Sequence, residues 1–126
     1  MKTILVVDDE QDCVDILMSV LRYHDFDVVT AGDGAEAYAM ARNNKVDLVI
    51  SDYLMPGLDG IELTGYLAAD RRTSDIPIVL MSGALLSVDH ASVHALIRKP
   101  FDIEMFMDTV RSALHPVIPT TSTARQ

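Results

Sequence analysis

The chain alternates two hydrophobic periods. Ile4 to Val7 is continuously apolar within TILVVD, as suits a strand covered on both faces of a parallel sheet. Val14, Leu17, Met18 and Leu21 then recur at helical spacing. Phe26, Val28 and Thr30 alternate and predict a half-covered edge strand. Asp33 followed by Glu36 is a capping-box signal for a helix over Ala35 to Ala41. Val46 to Ser51 predicts a third strand, and Asp59 with Glu62 opens a helix through Leu63 and Leu67. Ile76 to Met81 is a fourth strand, with Pro77 near its start, where a missing N–H is tolerated. Ala95 to Ile97 is a short fifth strand. Asp102 caps a last helix whose apolar face is Ile103, Phe106, Met107, Val110 and Leu114. Five strands alternating with helices predict a doubly wound α/β fold with right-handed crossovers. One domain over residues 1–114 accounts for all of this, and HPVIPTTSTARQ, 115–126, reads as a flexible tail.

Composition narrows the function. The 126 residues are a usual size for one domain, and 49% of them are hydrophobic, which excludes a disordered chain. No apolar run approaches the roughly 20 residues that span a bilayer. MKTILVVDDE reads as a strand of the mature fold, and the cytoplasm is the expected compartment. Acids outnumber bases 19 to 10, for a formal charge of -9. That argues against nucleic acid and suits a divalent cation or a basic partner. The single cysteine, Cys13, excludes an internal disulfide and reads as a small packing residue. His24, His90, His94 and His115 share no ligand spacing and read as surface residues.

The candidate chemistry begins at SDYLMPGLDG, residues 51–60. Asp52 stands where a buried strand ends and a turn at Pro56-Gly57 begins, and an uncompensated charge there is costly. In open parallel sheets, ligands gather at the carboxyl ends of the strands. Asp8 and Asp9 end the first strand, Asp52 the third, Ser82 the fourth and Lys99 the fifth. Three neighbouring carboxylates call for a cation, and magnesium suits oxygen ligands where phosphate is handled. Asp52 can then act as a nucleophile towards phosphorus, with Lys99 and Ser82 holding phosphoryl oxygens.

The set VVDD, SDYLMPGLDG, LMSG and KPF resembles the CheY-like receiver domain of two-component response regulators, over residues 3 to about 114. The resemblance implies the flavodoxin-like strand order 2-1-3-4-5. It implies that Asp52 is the phosphoacceptor, and that Asp9 directly, and Asp8 in part through water, hold Mg2+ with Asp52. The backbone carbonyl of Leu54 would complete the protein ligands. Ser82 would bind the phosphoryl oxygen, and a cis Lys99-Pro100 bond would aim Lys99 at the phosphoryl group. The donor would be a histidine of a sensor kinase or phosphotransfer protein, small acyl phosphates could substitute, and the domain would catalyse both transfer and hydrolysis. A downstream protein target would receive the signal.

Two features depart from that family. Leu96 stands where an aromatic switch residue is usual, and the Ser82 to Lys99 interval is short by about one helical turn. A shortened fourth helix within Leu85 to Ala91 is therefore expected, with phosphorylation shifting that region and little gating at Leu96. Leu54 and Ala84 offer no polar group to orient water, which predicts a long-lived phosphoryl group. Two other functions remain open. One is a pseudo-receiver acting as a phosphorylation-independent binding module. The other is an aspartyl-phosphate phosphohydrolase, disfavoured because Leu54 stands where such enzymes carry a second acid. Taken singly, Asp8-Asp9-Glu10 is an acidic helix start and Lys99-Pro100 an ordinary turn.

Overall fold

The computed structural model describes residues 1–55, 57–83 and 93–115. Five strands, β1 (Thr3–Val7), β2 (Asp27–Ala31), β3 (Leu48–Asp52), β4 (Ile78–Ser82) and β5 (Ala95–Arg98), form one parallel sheet in the order β2-β1-β3-β4-β5. The described helices are α1 (Gln11–Tyr23), α2 (Gly34–Asn43), α3 (Gly60–Ala69) and α4 (Ile103–Leu114). Both the doubly wound class and the strand order are as expected. The shortened fourth helix of the expectation falls at 84–92, and most of the tail at 116–126, both outside the described residues.

The pleat divides the apolar runs between two cores. Ile4, Val6, Leu48, Ile50, Val79, Met81 and Ile97 face α1 and α4 and pack on Leu17, Leu21, Phe106 and Val110. Leu5, Val7, Val49 and Leu80 face α2 and α3, on Ala37, Ala41, Leu63 and Leu67. β1, β3 and β4 are therefore apolar at successive positions, because each has a helix layer above and below. Removing the fully buried Phe106 ring would cost about 3–5 kcal/mol. Among the described residues, no helix is long and apolar enough to cross a membrane.

Local sequence explains the ends. Asp59 and Glu62 form a complete capping box: the Glu62 N–H donates to Asp59 Oδ1 at 2.8 Å, and the Asp59 N–H donates to Glu62 Oε1 at 3.1 Å. At α2 the box is only half made. Asp33 caps Glu36, but Glu36 Oε1 accepts the Gly32 N–H rather than that of Asp33.

Some expectations shift. β3 starts at Leu48, two residues late, and runs on through Asp52, because the Tyr53 N–H still donates to the Met81 carbonyl. β4 starts at Ile78, after Pro77, and includes Ser82. In β2, Thr30 is exposed while Val28 and Val29 cover opposite faces, so its alternation is incomplete. Ile103 does not join the buried face of α4, being 44% exposed; Phe106, Met107, Val110 and Ala113 form that face. Ile103 is the first residue of its helix and stands clear of the sheet, towards α1.

Candidate functional site: an acidic pocket at the carboxyl edge of the sheet

Strand ends bring the residues together. β1 delivers Asp8, whose N–H extends the ladder to the Ala31 carbonyl at 3.2 Å. Its side chain points into the protein and is 3% exposed, whereas that of Asp9 is turned to solvent. β3 ends on Asp52, and the loop behind it closes where the Gly60 N–H donates to the Tyr53 carbonyl at 2.9 Å. Gly57 takes φ 75°, a turn conformation that a side chain would strain. β4 ends on the buried Ser82, whose carbonyl accepts the Lys99 N–H at 2.7 Å. The Lys99-Pro100 peptide is cis.

The outcome is a cavity of 440 Å³ lined by Asp9, Asp52, Leu54, Ser82 and Lys99, with Glu10 and Gly83 beside them. Lys99 Nζ lies 3.4 Å from Asp52 Oδ1 and 3.9 Å from Asp8 Oδ2. Carboxylate oxygens of Asp8, Asp9 and Asp52 all lie within 4.8 Å of one another. Asp8 Oδ1 accepts the Glu10 N–H at 2.9 Å, but the buried Oδ2 accepts no hydrogen bond. A buried carboxylate whose neighbouring ammonium lies 3.9 Å away is short of positive charge. A hard cation held by the three carboxylates fits that deficit and the all-oxygen donor set. Leu54, 65% exposed, forms part of the rim. Tyr53 is not among the lining residues.

The electrostatics are those of a compressed acidic site. Burial raises the Asp52 pKa, Lys99 opposes the rise and the Asp8 charge adds to it. Burial opposes the charge on Lys99, but the carboxylates of Asp52 and Asp8 outweigh it and hold its pKa above the usual value. Cys13 packs behind the site, and burial, then its Asp8 neighbour, push its thiol up to about 11. A thiol so protonated is inert at neutral pH, in keeping with a packing role.

A family profile described as the response regulator receiver domain matches residues 4–111. The chain belongs to that family. PilH of Pseudomonas aeruginosa is 32% identical over 119 residues, covering 90% of this chain and 98% of PilH. The DNA-binding response regulator MtrA of Mycobacterium tuberculosis is 35% identical over 116 residues, covering 88% of this chain and 50% of MtrA. The receiver domain thus spans about half the length of the first curated relatives it matches. Among solved structures, CheY4 of Vibrio cholerae superposes with a TM-score of 0.83 at 26% identity, covering 90% of this chain and 99% of CheY4. The response regulator TrrA of Thermotoga maritima, solved in complex with Mg(2+)-BeF, superposes with a TM-score of 0.82 at 29% identity, covering 90% and 100%. The receiver assignment made from VVDD, SDYLMPGLDG, LMSG and KPF is borne out.

Proposed function

We propose that this receiver domain is a phosphoacceptor switch, taking a phosphoryl group on Asp52 from a phosphohistidine of a sensor kinase or phosphotransfer protein. The observation that carries the reading is the meeting of Asp9, Asp52, Ser82 and Lys99 in one cavity, with the Asp8 carboxylate clustered behind them and its Oδ2 buried and short of positive charge. Asp8, Asp9 and Asp52, with the Leu54 carbonyl, would hold Mg2+, as TrrA was solved with it. Bound there, the cation supplies charge neutralisation for the acids and the incoming phosphoryl oxygens.

An Asp52 carboxylate oxygen attacks phosphorus, the phosphorus–nitrogen bond of the donor breaks, and the imidazole leaves with the electron pair and takes up a proton. Lys99 Nζ, already 3.4 Å from Asp52, follows the added negative charge. The Ser82 side chain ends the adjacent strand and supplies a hydroxyl to a phosphoryl oxygen. Beside Lys99, an apolar groove of 590 Å³ between α1 and the β5–α4 turn, lined by Cys13, Ile16, Leu17, Phe101 and Ile103, gives the donor protein a seat. The exposure of Ile103 supports that use.

Borohydride reduction after treatment with a small acyl phosphate tests the assignment, because it converts an aspartyl phosphate to homoserine. Peptide mapping should find homoserine at residue 52. Homoserine at Asp8 or Asp9 instead would overturn the choice of nucleophile. Absence of any reduced residue would favour a phosphorylation-independent binding module.

A further inference from the structure

At the opposite edge of the sheet, where α2 and α3 end, the acidic surface is interrupted. A cavity of 460 Å³ is lined by Tyr38, Arg42, Tyr66, Asp70, Arg71 and Arg72, together with Ala69. Three of the chain's 10 basic residues meet here, in a protein of net charge -9. One acid is present, and it is fully committed. Asp70 Oδ2 accepts the Tyr38 hydroxyl at 2.8 Å and pairs with Arg42 Nε at 2.9 Å, while Oδ1 accepts the Arg72 N–H at 2.8 Å. Among the described residues, the guanidinium groups of Arg71 and Arg72 make no ion pair. Arg42 is fixed further by the Tyr38 ring, whose centroid lies 5.4 Å from its guanidinium carbon.

Arginine after a helix complements the negative end of the helix dipole, and that accounts for some of the charge. It does not account for Tyr66. This ring is 54% exposed and stands 5.7 Å from the Tyr38 ring, tilted by 47°. Paired aromatic faces bordered by unpaired guanidinium groups are the chemistry of an interface anchor, since tyrosine and arginine dominate binding hot spots. The bound form of Arg42 is already held by Asp70 and Tyr38, so less side-chain freedom is lost on docking.

We propose that the α2–α3 face is a docking site for an acidic protein segment carrying an aromatic residue. Its carboxylates pair with Arg71 and Arg72, and its ring lies against Tyr66. The overall charge of -9 does not forbid this, because at physiological salt the Debye length is about 8 Å and the local guanidinium groups decide. The site lies at the strand-start edge of the sheet, so a partner here leaves the Asp52 cavity open.

The test is a titration of 15N-labelled protein with the acetylated, amidated peptide Asp-Glu-Phe-Asp-Glu, followed by amide shifts. The expected shifts are confined to 38–42 and 66–73. The double variant Arg71→Glu/Arg72→Glu should weaken binding at least about tenfold. Lysine at both positions should weaken it only a few-fold, because charge is kept and the fork is lost. Phosphorylation of the double variant by a small acyl phosphate should match the parent, which separates this site from the Asp52 chemistry. Binding unchanged in the double variant, or shifts scattered over the surface, would overturn the proposal. Equal shifts with inorganic phosphate alone would also overturn it, in favour of a small-anion site.

Discussion

Gly60 and Gly65 lie on the same helix and should respond oppositely to alanine. A Cβ on Gly60 would stand 2.7 Å from the Asp52 carbonyl oxygen, 3.0 Å from Leu80 Cδ2 and 3.1 Å from Tyr53 Cα. Two of these atoms are backbone and cannot rotate aside, so either α3 or the end of β3 must move. Forced overpacking costs about 1–3 kcal/mol, and the lower unfolded-state entropy of alanine returns about 0.4–1 kcal/mol. The net loss is about 1.3 kcal/mol at the midpoint of these ranges and at most about 2.6 kcal/mol. A Cβ on Gly65 meets nothing within 4 Å, so alanine there should stabilise by about 0.5–1 kcal/mol. With about 2.1 cal/mol/K of unfolding entropy per residue, 126 residues give about 0.26 kcal/mol/K, or about 4 °C per kcal/mol. Thermal unfolding should therefore show Gly60→Ala lower by about 5 °C, at most about 10 °C, and Gly65→Ala higher by about 2–4 °C. Because the displaced atom belongs to Asp52, phosphorylation should slow in Gly60→Ala and not in Gly65→Ala. Two variants shifted in the same direction would refute the reasoning, as would a destabilised Gly60→Ala phosphorylated at the parent rate.

Other outcomes follow from the same site. The Asp52 proton is held more tightly in the folded than in the unfolded chain, so ionisation costs stability as pH rises through the unfolded value near about 4, and the whole cost is present above the folded value. In metal-free buffer Asp52→Asn should thus raise Tm at pH 7 and lose that advantage near pH 3; an equal gain at both values would contradict the electrostatic cause. Leu54→Asn places an amide on the exposed rim and should speed loss of the phosphoryl group by about 3- to 10-fold, less than about 1.4 kcal/mol of barrier, with an unchanged or slower decay counting against it. Asp59→Ala breaks the complete capping box and should lower the urea-unfolding free energy by about 1 kcal/mol, whereas a loss below about 0.3 kcal/mol would show the box to be unimportant.

Much of this was legible in the residues, and the reasons differ from element to element. The apolar run Ile4 to Val7 and the Asp59/Glu62 pair are local signals with local causes, and both appear as expected. The order of the strands is not local; it came from the resemblance to receivers, since no periodicity says which strand lies beside which. Asp8 and Asp9 were visible as a pair, but the pleat at the end of β1 decides that Asp8 is buried and Asp9 exposed. Ile103 fitted the apolar stripe of α4, yet at the first turn the helix has not reached the sheet. The Tyr38–Tyr66–Arg71–Arg72 cluster was silent because α2, α3 and the turn after α3 assemble it. The close approach of Gly60 to Asp52 was equally silent, being a backbone contact across a loop.

The central claim is that three acids, a serine and a lysine make Asp52 a metal-assisted phosphoacceptor. Intact mass after incubation with a small acyl phosphate tests it most directly, with and without Mg2+, beside Asp52→Asn. The account predicts a gain of one phosphoryl group that requires Mg2+ and is absent from the variant. No gain under any condition, or the same gain in Asp52→Asn, would contradict it.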